Sequence, residues 1–356
     1  MKMEAYIRSC SIVSSQKTFD TTDFLTDPVE NESTHLHAIE PSYKEFLNPT
    51  MARRMARLVK MSIAAAVTCL KDAGITQPDA IITGTALGCL EDTEKFLLAI
   101  IENKEQFLTP TSFIQSTHNT IGAQIALQLK CLNYNFTYVH KGFSFESAVL
   151  DAMMLLSEKE GKNILIGGHD EMTEKYYRVC DRIGYWKKEP VSTMQLIHSK
   201  TSGSIAGEGA SFFVLSSEKD PRNYAKLLGV KTLFNPKNHT IIENKITALL
   251  HQNNLQAKDI DVVIYGINGD NRFDPVYYNL LNGYFKDSTA AYFKHLSGEY
   301  QTVTGFALWA AATMLKTQSL PQAMTIGSPK FKTIKNILIY NTFLESNHSV
   351  FLLSQC

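Results

Sequence analysis

One short stretch of this 356-residue chain is built like a catalytic elbow. Asn135-Phe136-Thr137-Tyr138-Val139 reads as a strand, His140-Lys141-Gly142-Phe143 as a turn, and a helix opens at Ser144. Such a junction sets a side chain at a helix N-terminus, where unpaired N–H groups and the dipole stabilise a thiolate or oxyanion. That chemistry asks for Cys or Ser at the tip. The six cysteines, at positions 10, 69, 89, 131, 180 and 356, lie elsewhere, without a Cys-x-x-Cys pair or histidines at metal spacing. They read as reduced thiols, with Cys89 a buried inert one, and neither a zinc site nor a disulfide framework is expected. His118, His169 and His295 are spread too widely to define a site.

The elements that must position the elbow alternate. Strands are expected at Ala5–Val13, Ala80–Thr85, Asn135–Val139, Asn163–Gly167, Gly209–Ser216, Lys226–Leu233, Ile260–Tyr265, Asn336–Asn341 and Ser349–Leu353. Helices are expected at Ala52–Ala73, Glu91–Ile101, Asn119–Leu129, Phe145–Leu156, Thr240–Gln252 and Phe306–Leu315. Strands apolar on both faces, such as Ile81-Ile82 and Val262-Val263-Ile264, belong in sheets covered by helices on both sides, which gives an α/β architecture. Val191–Ser204, rich in Ser and Thr, reads as a long loop. The turn Asp220-Pro221-Arg222 marks a boundary near 217–223, dividing the chain into halves 1–222 and 223–356.

Lys+Arg 35 balances Asp+Glu 35, so no global field draws nucleic acid or an anionic membrane. Glu4 and Arg8 interrupt the apolar stretch a signal peptide needs, and no run reaches ~18 uncharged apolar residues, so a cytoplasmic protein without membrane insertion is expected. Arg53, Arg54, Arg57 and Lys60 recur at helical spacing as a basic face for an acidic partner, or simply as a solvated surface.

Five further motifs follow one another along the chain. They are Ala52-Arg53-Arg54-Met55-Ala56-Arg57 with its Ala64-Ala65-Ala66 helix, the turn Thr83-Gly84-Thr85-Ala86-Leu87-Gly88, and Asn119-Thr120-Ile121-Gly122-Ala123. Gly207-Glu208-Gly209-Ala210 and Lys294-His295-Leu296-Ser297-Gly298 complete the set. Their order resembles that of the β-ketoacyl-ACP synthases of the thiolase-like superfamily. The resemblance implies a layered αβαβα fold of two pseudo-symmetric halves, no cofactor and no metal. It also carries the family's catalytic positions onto this chain. The nucleophile of Ala-Cys-x-Ser-Gly falls on Gly142, the histidine of His-Gly-Thr-x-Thr on Tyr265, and the histidine after Lys-x-x-x-Gly on Glu299; only Lys294 is retained. The late glycine loop is shortened to Leu344-Glu345-Ser346.

Condensation needs a thiolate to hold the acyl chain and imidazoles to stabilise developing negative charge. Gly142 cannot hold a chain, and Glu299 has the wrong sign. The resemblance therefore implies a non-catalytic subunit of the chain-length-factor type, paired with an active ketosynthase in type II polyketide, aryl-polyene or fatty-acid-like biosynthesis and shaping its acyl tunnel. Phe143 and Phe145, which bracket the elbow, suit a tunnel plug or ordinary core, and the basic face suits an acyl carrier protein. The alternative is an active acyltransferase or condensing enzyme with a rewired site of Ser144, His140 and Lys294. A serine opening a helix, however, ordinarily caps it.

Overall fold

The computed structural model describes residues 4–356. Five strands form the first half: β1 (Ala5–Val13), β2 (Ala80–Gly84), β3 (Tyr134–Tyr138), β4 (Asn163–Asp170) and β5 (Gly209–Ser216). Five more form the second: β6 (Ala225–Phe234), β7 (Val262–Tyr265), β8 (Thr289–Tyr292), β9 (Asn336–Phe343) and β10 (Asn347–Ser354). Their orders, β3-β2-β4-β5-β1 and β8-β7-β9-β10-β6, are the same pattern twice. In each half the second strand runs parallel to both its neighbours and the fifth antiparallel to both. The halves join where Ala5–Ile7 of β1 pairs antiparallel with Ala225–Leu227 of β6, which, with Thr325–Ile326 at the edge beside β8, makes one continuous 11-stranded sheet whose two halves are the first and second sheets.

Parallel neighbours require crossover connections, and helices supply them. They are α1 (Arg57–Ala73), α2 (Leu90–Glu102), α3 (Thr120–Leu129), α4 (Ser144–Glu158), α5 (His239–Gln252), α6 (Pro275–Asn282) and α7 (Thr304–Thr317). α4 and α7 pack in one central cluster with Ile164, Ile166 and Phe213 from one sheet and Ile264, Ile337 and Phe351 from the other. α1 and α3 cover the opposite face of the first sheet, against Ile81, Leu165, Phe212 and Val214. α5 and α6 cover the second, against Val263, Leu338, Val350 and Leu352. Successive strand residues thus enter different layers, and this is why the strands are apolar on both faces. α7 is buried nearly all round, as a helix between two sheets must be. The layering is αβαβα.

Several expected elements shift. α1 begins at Arg57, so Arg53 and Arg54 lie in a turn before it and do not continue one basic helix face with Arg57 and Lys60. Gly74, at φ 68°, closes that helix in the left-handed conformation that glycine adopts freely. Val191–Ser204 holds a short strand, Val191–Ser192, and a 3₁₀ turn, Thr193–His198. The helices Glu174–Arg182 and α6, and strand β8, have no counterpart among the expected elements. Among the described residues no helix is long and apolar enough to cross a membrane, and no three His, Cys, Asp or Glu side chains gather as a metal site.

Candidate functional site

β3 delivers the elbow as a short 3₁₀ turn, Lys141–Phe143, against the N-terminus of α4. Gly142 lies below the end of β9. A Cβ built on it would stand 2.8 Å from Cβ of Phe343 and 3.0 Å from two of its ring carbons. Atoms at that separation overlap, so Phe343 occupies the space that any nucleophilic side chain at position 142 would need. Phe343 reaches this point because β9 and β10 pair up to Phe343 and Asn347, leaving only Leu344-Glu345-Ser346 as the hairpin loop.

Ser144 is committed to the turn. Its Oγ accepts from the His140 N–H at 2.8 Å and donates to the Lys141 carbonyl at 2.8 Å. It thus bonds backward into the turn and not forward as a cap. The His140 ring meets Phe143 edge-on at 5.6 Å, and Lys294 is engaged elsewhere, so the Ser144, His140 and Lys294 constellation is not assembled. Phe145 packs in the central core against Phe213 and Phe351.

The second half supplies the other wall. Lys294 Nζ donates to Glu299 Oε2 at 2.6 Å and to the Thr342 carbonyl at 2.8 Å, and both side chains are buried. Asn268 Nδ2 donates to the same Glu299 oxygen at 2.8 Å. Burial raises the Glu299 carboxyl, with Lys294 and Asn268 pulling it back. Thr342 and Phe343 are adjacent, so one strand end both receives Lys294 and covers Gly142.

Asn268 is held firmly. Its Oδ1 accepts from the Asp270 N–H at 3.0 Å, and Asp274 receives the N–H groups of Asn268 and Gly269. The buried ammonium of Lys187 donates to the Gly269 carbonyl at 2.6 Å. Tyr265, expected at the first histidine position, instead belongs to the outer cluster under α5 and α6, where its ring meets Tyr277 edge-on. Asn268, three residues on and also followed by glycine, is the residue that reaches Glu299. The signal was present in the sequence: both Gly266 and Gly269 offered a match to the His-Gly pair.

Glu146 is a further residue that sequence reasoning did not single out. It lies one turn beyond Gly142 in α4, is fully buried, and neither of its oxygens has a hydrogen-bond partner among the described residues. Burial pushes its carboxyl up to about 7, against the opposing pull of Thr304, Ser349 and Lys294. An acid beside Phe145 on a helix otherwise apolar on that side, with Val149, Leu150 and Met153 following, was the visible sign.

Two sequence motifs meet physically. Arg57 of the early helix forks onto the buried Glu208 of Gly207-Glu208-Gly209 at 2.8 and 2.6 Å and also bonds Glu40 at 2.5 Å. Arg57 is therefore a structural anchor and not a free docking charge. Gly207 and Gly298 are required by contact: a Cβ on Gly207 would lie 2.2 Å from the Ser297 carbonyl oxygen and 2.7 Å from Gly298 Cα. Arg53, Arg54 and Lys60 flank a cleft of about 570 Å³ that also includes Lys95, Glu91 and Asp92.

Known proteins agree with this architecture. The ishigamide ketosynthase/chain length factor superposes with a TM-score of 0.80 over 100% of both chains at 16% identity. A β-ketoacyl synthase from Burkholderia phymatum gives 0.79 over 100% of both at 14%. The ketosynthase ApeO in complex with its chain length factor ApeC, from Xenorhabdus doucetiae, gives 0.77 over 99% of this chain and 98% of that one, at 14%. No curated protein matches by sequence. The model of the β-ketoacyl synthase N-terminal domain family matches residues 29–228, more than half of the chain, and with the repeated strand order and the closed elbow now described, this chain belongs to that family.

Proposed function

We propose that this chain is a non-catalytic, chain-length-factor-type subunit that pairs with an active ketosynthase in the cytoplasm and helps shape its acyl tunnel. One observation carries the reading: Phe343 fills the space of the missing nucleophile above Gly142. A site that had merely lost its cysteine would keep an empty pocket, whereas this one is closed by a ring from the opposite half. Glu299 bound to Lys294 and Asn268 closes the second wall in the same way.

The partner surface in this reading is the free edge of the first sheet. β3 has no strand on its outer side among the described residues, and Tyr134, Phe136 and Val139 are exposed there, as are Leu127 and Leu132 before it. A contiguous apolar edge of this kind marks an interaction site. Phe143, beside the same elbow, is the aromatic placed to border the tunnel, and Phe145 serves the core. Arg53, Arg54 and Lys60 receive the acidic carrier, and the boundary of the halves is set at 222/223.

The test is co-expression with candidate ketosynthases, followed by intact mass measurement after exposure to acyl-carrier thioester. The expected result is a stoichiometric complex in which only the partner gains the acyl mass. A stable acyl adduct on this chain, or a monomer that ignores every synthase offered, overturns the reading.

A further inference from the structure

A second cleft, of about 380 Å³, opens on the seam between the halves and shares no residue with the candidate site. Its lining comes from β1 (Cys10, Ser11), the last turns of α1 (Thr68, Asp72) and α7 (Thr313, Lys316), Tyr224 at the entrance to β6, and the segment following β1 with Asp20 and Asp23. Trp309 and Phe24, edge-on at 5.4 Å, form an aromatic wall.

Several features make this cleft acceptor-rich and net negative. Two helix C-termini, those of α1 and α7, converge on it and direct their negative ends there. Asp72 is an acid in the last turn of α1, where the dipole disfavours it, and burial raises its carboxyl. Asp20 and Asp23 add two more carboxylates. The one lining cation, Lys316, has its N–H groups on the carbonyls of Pro221, Arg222 and Asn223, at 3.1, 2.9 and 3.3 Å, and its charge offsets only one of the three lining carboxylates. Ser11, more than nine-tenths buried on the cleft, has a hydroxyl with no hydrogen-bond partner among the described residues. An acceptor-rich cleft with an unused hydroxyl and an aromatic wall matches a primary ammonium, which brings donors to the carboxylates and charge to the ring faces.

We infer that this seam cleft binds a small organic ammonium compound, held between Asp72, Ser11 and the Trp309 wall. A ligand there touches both halves, so its binding stabilises their junction independently of any synthase partner.

The experiment is calorimetric titration of the full chain with putrescine at fixed ionic strength, with glucose and sodium chloride as the other arms. Saturable binding of putrescine, weakened about tenfold or more in Asp72→Asn and also in Ser11→Ala, is the expected result. Both substitutions are small and lie away from the candidate site, and a thermal melt of each variant without ligand verifies that it folds. No saturation by about 10 mM putrescine, an unchanged affinity in folded Asp72→Asn, or binding of glucose in place of putrescine overturns the inference.

Discussion

The two halves share one strand order and treat its edge strand in opposite ways. In the second half the edge strand β8 is buried along its length, and Thr325–Ile326 pairs antiparallel against it from outside. In the first half the equivalent β3 has no such cover among the described residues, and Tyr134 and Phe136 stand in solvent. The same position is therefore sealed once and left open once. Exposed edges template association, and proteins ordinarily blunt them with charge or proline. β3 carries neither; it carries tyrosine and phenylalanine. The difference fits the proposed reading, in which the open edge is kept for a partner, while the second half supplies Phe343 and the Lys294–Glu299 pair that close the space around Gly142.

The strongest way to break that view is through the seal. Lys294→Met leaves Glu299 buried without its cation, a loss expected to cost about 3–5 kcal/mol. Pairing it with Glu299→Leu removes both charges and is expected to recover most of that. Chemical denaturation of the two variants and the parent measures the coupling. If Lys294→Met alone is as stable as the parent, the pair is not what holds this wall.

The open edge is tested next. Phe136→Asp places a charge in the middle of β3, and an aromatic anchor of an interface is worth about 2–4 kcal/mol, so association should weaken by thirtyfold or more. The fold should survive, because Phe136 is exposed in the isolated chain. Light scattering after size-exclusion chromatography reads the outcome, with a solvent-exposed residue of the sealed half, Phe234→Asp, as the control.

How much of this was legible beforehand depends on which layer a residue serves. Strands entering two apolar layers announce themselves, and β1 and β5 match their expected bounds at both ends. β8, Thr-Ala-Ala-Tyr, has small side chains and little strand signal; it is a strand because β7 and Thr325–Ile326 flank it. In the site, the motif order singled out Lys294 and Glu299, which form one buried pair, and Gly142, which meets the strand end that receives Lys294. It could not reveal Phe343, because the closure is a contact across 201 positions of chain (343 minus 142) made by a shortened hairpin. The His-Gly pattern matches Tyr265-Gly266, yet Asn268, three residues on and also followed by a glycine, is the one that bonds Glu299, and only the third dimension shows this. Local pattern finds elements; long-range contacts decide which side chains meet.

The contact between halves can be sharpened by a double-mutant cycle. Gly142 is not in the left-handed region among the described glycines, so a side chain is resisted there by Phe343 and not by the backbone. Gly142→Cys alone should lose about 1–3 kcal/mol by overpacking. Phe343→Ala makes room, and the double variant should be more stable than the sum of the two single changes predicts, with a thiol that alkylates more readily at the α4 N-terminus. Under the proposed reading condensation is still not expected, because the family's two histidine positions fall on Tyr265 and Glu299, Glu299 is tied to Lys294 and Asn268, and catalytic groups act as a unit. Additive stabilities would show that the ring yields without cost, and turnover would show that the second wall is competent.

The smallest effect concerns the acid that the first half turns toward the second. Glu146 has a folded-state pKa of about 7, above its ordinary 4.5, so the folded chain holds a proton that the unfolded chain releases through that window. Folding is then favoured below about 4.5, and this contribution is lost as pH rises to about 7, with a slope of at most about 1.4 kcal/mol per pH unit. Asp170 and Asp274, both raised to about 6, act in the same direction. The buried neutral His169 and His295, each lowered to about 3, act in the opposite one, losing stability as pH falls below the ordinary histidine value. The total pH profile therefore mixes signs, and the informative quantity is a difference. Glu146→Gln keeps the shape and removes the titration, so its stability relative to the parent should rise between pH 4.5 and 7 and be flat below. Denaturation curves at four or five pH values give that difference. A constant offset across the range would mean that Glu146 is charged throughout, already paired with Lys294, and that the central layer carries an ion cluster where we place a neutral acid.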